Sequence, residues 1–250
     1  MIDEPVSIDA MSRDGIRAKM FIYTSVTAFV TITACWAVAL FSNLPSSLWC
    51  PPISLTGFLY PERAMYVIGF SVTFFIGNSA VTQLHWLSPP SRLHAFATRV
   101  LYVALVGMLG QAIVPFQTDT FSAEFPRDLK LQTIVHLLFA AVFFYGSQIH
   151  AILVLSVRMQ RGNPLKLPWK LKTFYLFGNI ICLYFLNSIL PDSNYREGLS
   201  QRLGVLFILA FFADYSRDLR KISSSSYSIS PNLSSHRMCI SFTTNGRQSG

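Results

Sequence analysis

Six stretches of this chain are apolar and nearly free of charge: Met20 to Ser42, Ala64 to Leu87, Thr98 to Phe116, Leu131 to Val157, Thr173 to Leu190 and the shorter Leu203 to Ser216. A hydrocarbon core ~30 Å thick needs about 20 helical residues at 1.5 Å each, so these runs are read as membrane spans. They are continuous rather than alternating and lack the ~10-residue rhythm of outer-membrane barrels. Helices are then the elements that satisfy their own backbone groups in lipid. The expected fold is an all-α integral membrane bundle of six transmembrane helices. Composition agrees, because only 13% of residues are charged against about 25% in an average soluble domain.

Ala37-Val38-Ala39 resembles a signal-peptidase site, but the run around it is longer than a signal core and starts after nineteen polar residues. It is read as a retained helix. Of the 20 Lys and Arg residues, fifteen fall on the side of the N-terminus and five on the other, so the positive-inside rule puts both termini in the cytosol. The same distribution accounts for the net charge of +8: the bases lie on short connectors rather than on one folded surface, and no nucleic-acid partner is expected. Cys50 is the single cysteine in a loop on the far side, which leaves no disulfide framework.

Connectors of about ten to twenty residues leave no room for a separate soluble domain. The chain divides into a cytosolic head (1–19), a six-helix membrane domain (20–220) and a tail (221–250) whose SSSSYSISPNLSSH composition reads as disordered.

Polar groups within the apolar runs are where chemistry would sit. They are Asn78, Gln83, Gln111, His136, Gln148, His150, Asn179 and Asn187. Amides in such positions commonly join helices by hydrogen bonds. His136 and His150 are separated by ~21 Å along a helix axis and cannot share a metal. With no H-x-x-x-H pair, no H-E-x-x-H and no G-x-S-x-G, neither a metal site nor a serine-hydrolase motif is read, and no cofactor is expected. His136, Gln111 and Gln117 form the least implausible polar cluster, near the far-side half. Glycines Gly107 and Gly110, like Gly69 and Gly77, read as sites of close helix approach. On the cytosolic side, RMQRGNPLKLPWKLK places Arg158, Arg161, Lys166, Lys170 and Lys172 around Trp169. Such a cluster enforces topology, and it is also a candidate contact for anionic lipid headgroups.

The loop PPISLTGFLYPE is unusually specific for a connector. Proline presets the backbone at Pro51, Pro52 and Pro61, Gly57 permits a turn, and Glu62 falls where a helix dipole favours a carboxylate. In this loop the chain resembles the membrane-protein family that groups the DRAM autophagy modulators, yeast Sfk and the N-terminal domain of the Cwh-type GPI-lipid remodelling proteins. The pattern P-x-I-S-x-x-G followed by P-E is matched by Pro51, Ile53, Ser54, Gly57, Pro61 and Glu62. Further along, GMLGQAIVPFQ is similar to the family's glycine-bearing helix through Gly110, Ile113, Val114, Phe116 and Gln117. His136 matches the histidine that begins the next helix, and Tyr215, Asp218 and Leu219 match its closing aromatic stretch. The chain departs from the family at Ser200 and Gln201, where an acid is common, and at Leu219, where Phe is usual.

The resemblance implies a six-helix protein of the endomembrane system (Golgi, ER or endolysosome) or the plasma membrane. The leading expectation is a non-catalytic or accessory factor in membrane lipid organisation, in GPI-anchor lipid remodelling or phosphoinositide regulation. Its partners would be membrane lipids, including anionic headgroups, or another membrane protein. The alternatives are an endolysosomal autophagy modulator and a lipid-modifying enzyme or transporter.

Overall fold

The computed structural model describes residues 8–42, 50–57, 61–87, 92–115, 131–160, 167–186 and 194–227. The elements are α1 (Ile8–Ser42), a single turn α2 (Ile53–Thr56), α3 (Glu62–Leu87), α4 (Arg92–Ile113), α5 (Leu131–Gln160), α6 (Leu167–Ile180) and α7 (Asn194–Tyr227). A π-helical turn, Ile181–Leu186, continues α6. Apart from a few turn residues, the described residues are helical throughout.

Among the described residues, four helices are long and apolar enough to cross a membrane: Lys19–Phe41, Glu62–His85, Arg92–Ile113 and Leu131–Val157. The last two expected spans differ. α6 is α-helical for 14 residues before its π turn, and the apolar middle of α7 is bounded by Gln201 and Arg202 at one end and interrupted by Asp214 at the other. The outer helices also overrun the expected limits. α1 begins at Ile8, within the segment read as a polar head, and α7 continues past Lys221 to Tyr227, into the segment read as a disordered tail.

The long helices form a ring in the order α1, α3, α4, α5, α6, α7 and back to α1, each antiparallel to its neighbours, with α5 against α6 as the loosest seam. Its outer face is strongly apolar, with Phe29, Ile68, Phe75, Val103, Leu138 and Phe177 exposed. Thr24, Thr73, Gln111, His136 and His150 are buried inside. An apolar exterior around a partly polar interior suits a lipid surround, since a water-soluble surface rarely exposes apolar area on this scale. The glycines account for the tightest seam. A Cβ on Gly107 would stand 2.7 Å from the Phe143 nitrogen and 2.8 Å from the Phe139 oxygen, both backbone atoms of α5. Only hydrogen fits there, as expected where small residues let membrane helices touch. Gly110 lies directly against the Phe139 ring.

Candidate functional site

The head end of the ring carries the N-terminus of α1; the opposite, loop end carries Cys50 to Gly57. At the loop end Pro52 (φ −50°, ψ 147°) feeds an extended chain into α2. Leu55 N–H donates to the Pro52 carbonyl at 3.0 Å, and the Thr56 hydroxyl donates to the Ile53 carbonyl at 2.7 Å. Gly57 packs against the Tyr66 ring, where a Cβ would fall 2.5 to 2.6 Å from ring carbons. Pro61 accepts from Ala64 N–H at 3.0 Å and so opens α3. Glu62 follows in the first turn, where the dipole argument puts it, and its side chain is almost wholly buried.

This segment is folded into the mouth of the bundle and pinned there by α7. Ile53 N–H donates to Gln201 Oε1 at 3.1 Å. Arg202 Nη1 donates to the Pro51 carbonyl, to the Gly198 carbonyl at 3.1 Å and to Cys50 Sγ at 3.6 Å. The loop lies so close to α7 that a Cβ on Gly198 would collide with the Cys50 carbonyl. Burial pushes the Cys50 thiol up, while the adjacent Arg202 pulls it down by less. Burial likewise lowers the Arg202 guanidinium from its ordinary value.

Beneath the loop lies a cavity whose volume open to the centres of water-sized spheres is about 80 Å³. By that measure one water needs ~10–15 Å³. Ile53 and Ser54 contribute the loop wall, and Gln111, His136 and Gln201 add amide and imidazole groups to a mainly aliphatic and aromatic lining. None of the lining residues is an Asp, Glu, Lys or Arg. His136 Nδ1 lies 2.7 Å from the Val114 carbonyl. Because a carbonyl only accepts, Nδ1 carries the proton. Leu137 of α5 lines the cavity and is itself 41% exposed.

The structure thus brings Ser54 of the loop together with Gln111 and His136, which sequence had grouped; Gln117, the third of that group, lies outside the described residues. Gly110 belongs to the helix seam rather than to the cavity. Gln201 was noted in sequence only as a departure from an acidic position, yet it both holds the loop and lines the cavity.

The head end holds a second constellation. Lys172, expected among surface lipid contacts, has a side chain that is 0% exposed. Its Nζ sits 3.2 Å from Asp214 Oδ2 and 3.3 Å from Asp218 Oδ2. It also lies 3.9 Å and 4.7 Å from the ring centroids of Tyr215 and Phe211. Reaching out of the protein would cost this ion pairing and two ring contacts, so Lys172 is not a surface base. Lys170 is exposed; the side chains of Arg158, Arg161 and Lys166 lie outside the described residues. Arg217 Nη1 reaches Asp214 Oδ1 at 3.4 Å.

His150 completes the group. Its Nδ1 donates to the Ala97 carbonyl at 2.8 Å, and in the neutral imidazole Nε2 then accepts from the Tyr215 hydroxyl at 2.6 Å. Tyr215 and Asp218 therefore work with Lys172 and His150 as one interhelical network. Sequence reasoning missed Asp214. Its signal was available, since Asp214 lies inside an apolar run, where a charge is normally paired, and Asp218 stands four residues on, on the same helix face. The amides behave as interhelical glue: Gln148 donates to Asn179 at 2.8 Å, and Asn179 to the Gly204 carbonyl at 2.8 Å. Among the described residues, no three metal-ligating side chains converge.

Comparison with models of protein families, with curated proteins and with solved structures finds no match to this chain.

Proposed function

We propose that the chain is a six-span membrane protein with both termini in the cytosol, and that it acts as a non-catalytic accessory factor in membrane lipid organisation, foremost in GPI-anchor lipid remodelling, with phosphoinositide regulation as the neighbouring branch. The observation that carries this reading is the placement of the loop. Ile53 and Ser54 wall a cavity that has neutral polar groups and a mainly apolar lining, one residue of which, Leu137, is also exposed on the outer face. An uncharged, amphipathic cavity suits a lipid chain and its first polar linkage better than an ion or a soluble metabolite. The loop faces the lumen or the exterior in this topology, the side on which a GPI anchor is carried. Cells lacking the gene, rescued with a Ser54→Ala, Glu62→Ala double variant that is expressed normally, test it. The anchor lipid should remain abnormal, and complete rescue would remove the loop from the function.

A lipid-modifying enzyme has one observation in its favour, because Ser54 and His136 line the same cavity although neither lies near the other in sequence. Covalent labelling of Ser54 by a fluorophosphonate, lost in His136→Ala, would establish an activated serine. The accessory reading expects no labelling.

A further inference from the structure

The outer face of α3 is apolar toward the loop end and polar toward the head end. Ile68, Val72 and Phe75 are 64%, 44% and 66% exposed, and Ser79 and Thr82 continue the same exposed stripe. α3 packs on α1 and α4 through its opposite face, where Tyr66, Thr73 and Ala80 are buried. The stripe advances by four, three, four and three residues, the a/d spacing of a helix that packs lengthwise along another. Ser79 and Thr82 donate to carbonyls of their own helix, those of Phe75 at 3.0 Å and Asn78 at 2.9 Å. They are small and already bonded, so they let a second helix approach closely.

Two amides flank the stripe. Asn78 and Gln83, five residues apart, fall at g and e positions of successive heptads, one on each side of it. Neither side chain makes a hydrogen bond to a described residue. Gln83 Oε1 is covered by protein, whereas Gln83 Nε2 and both polar atoms of Asn78 are not. Asn78 lies ~7 Å from the midpoint of the Glu62–His85 span, inside a hydrocarbon core ~30 Å thick. Lipid tails offer it neither donor nor acceptor, and an amide left unbonded there is costly.

A second copy of the chain supplies what is missing. Copies of one membrane protein are inserted the same way up, so a two-fold pair has its axis along the membrane normal and sets α3 parallel to α3 at equal depth. In such a pair the g position of each helix faces an e position of the other. Asn78 Oδ1 of each copy then accepts from Gln83 Nε2 of the other, twice by symmetry. The stripe carries no Asp, Glu, Lys or Arg that would select a charged partner. We propose that the outer face of α3 joins two copies of this chain into a parallel dimer, with Ile68, Val72, Phe75, Ser79 and Thr82 as its seam and reciprocal Asn78–Gln83 bonds at its flanks. The proposal is independent of the cavity reading.

Disulfide crosslinking of the full-length protein in lipid vesicles tests it, on a Cys239→Ser background so that the tail thiol cannot join copies. Ser79→Cys should crosslink two copies, whereas Val103→Cys, 53% exposed on the outer face of α4, should not. Energy transfer between separately labelled copies, titrated by dilution with lipid, gives the affinity. Asn78→Leu should weaken the dimer roughly tenfold, the loss of two amide bonds at the modest strength they have in membranes. Ser79→Trp should abolish the dimer while the protein still elutes as a monodisperse monomer in detergent, which reports that it is folded. A wild-type protein that stays monomeric in vesicles overturns the proposal, as does crosslinking no stronger at Ser79→Cys than at Val103→Cys. A dimer of unchanged affinity in Asn78→Leu overturns the amide pairing. A different membrane protein trapped by Ser79→Cys in native membranes, with no homodimer formed, overturns the second copy as occupant.

Discussion

Replacing Lys172 by Met isolates what the head-end network contributes. The substitution keeps a similar volume against Phe211 and Tyr215 but removes the ammonium between Asp214 and Asp218. Asp214 is only 2% exposed in the intact protein, and its remaining partner is Arg217, which is 51% exposed and 3.4 Å away. Asp218 is 11% exposed and loses Lys172 from 3.3 Å. At an effective dielectric of ~20, a unit pair near 4 Å interacts by about 4 kcal/mol, so two such contacts exceed what a half-exposed arginine returns. Removing one partner of a buried pair typically costs about 3–5 kcal/mol, and the lost ring contacts add about 1 kcal/mol or more. For a chain of this size, that corresponds to a fall on the order of 10 °C in Tm. Thermal unfolding of purified protein in detergent, followed by the fraction remaining monodisperse, reads it directly. A triple variant, Lys172→Met, Asp214→Asn and Asp218→Asn, discards every buried charge of the set and should recover most of the loss, because an ion network and a neutral packing of similar shape differ little. A Lys172→Met protein melting within two degrees of wild type would refute the reasoning, as would a triple variant no better than the single.

Three further outcomes follow from the geometry. Gly107→Val would drive a branched side chain into the α5 backbone and should destabilise the α4–α5 pair by about 3 kcal/mol or more, seen as reduced yield of monodisperse protein. Gln201→Leu strips the acceptor from the buried Ile53 N–H, costs about 1–3 kcal/mol locally and should increase maleimide labelling of Cys50 by freeing the loop. Cys50, with its thiol buried and its pKa raised, should label more slowly than an exposed cysteine of ordinary pKa near 8.5 and accelerate as pH rises beyond that value; rapid labelling at pH 7 would contradict the packed loop.

Which features could be read from sequence follows the range of the interactions behind them. Apolar runs mark helices because each residue's cost in lipid is local, so α3 and α5 begin and end close to the expected limits, whereas α4 starts at Arg92, well before the expected Thr98. The start of α3 was legible because Pro61 and Glu62 act on their own turn. Gly107 could be read as a packing residue, although not the α5 backbone atoms that require it. Lys172 could not be placed. Its neighbours in sequence are basic and interfacial, while the two carboxylates that draw it inward lie more than forty residues away on α7. The extension of α1 to Ile8 was hidden for the opposite reason, since a polar helix outside the apolar run carries no hydropathy signal. The cavity was half visible. Gln111 and His136 stand out as polar groups in apolar helices, whereas Ser54 and Gln201 join them only through the fold of the loop.

The most direct test of the proposed role deletes the gene in its own host and measures, by flow cytometry, a GPI-anchored reporter at the cell surface. The account predicts a marked loss of reporter, restored by the intact gene but not by the Ser54→Ala, Glu62→Ala variant. An unchanged surface level, with an unaltered anchor lipid on the reporter, would contradict it.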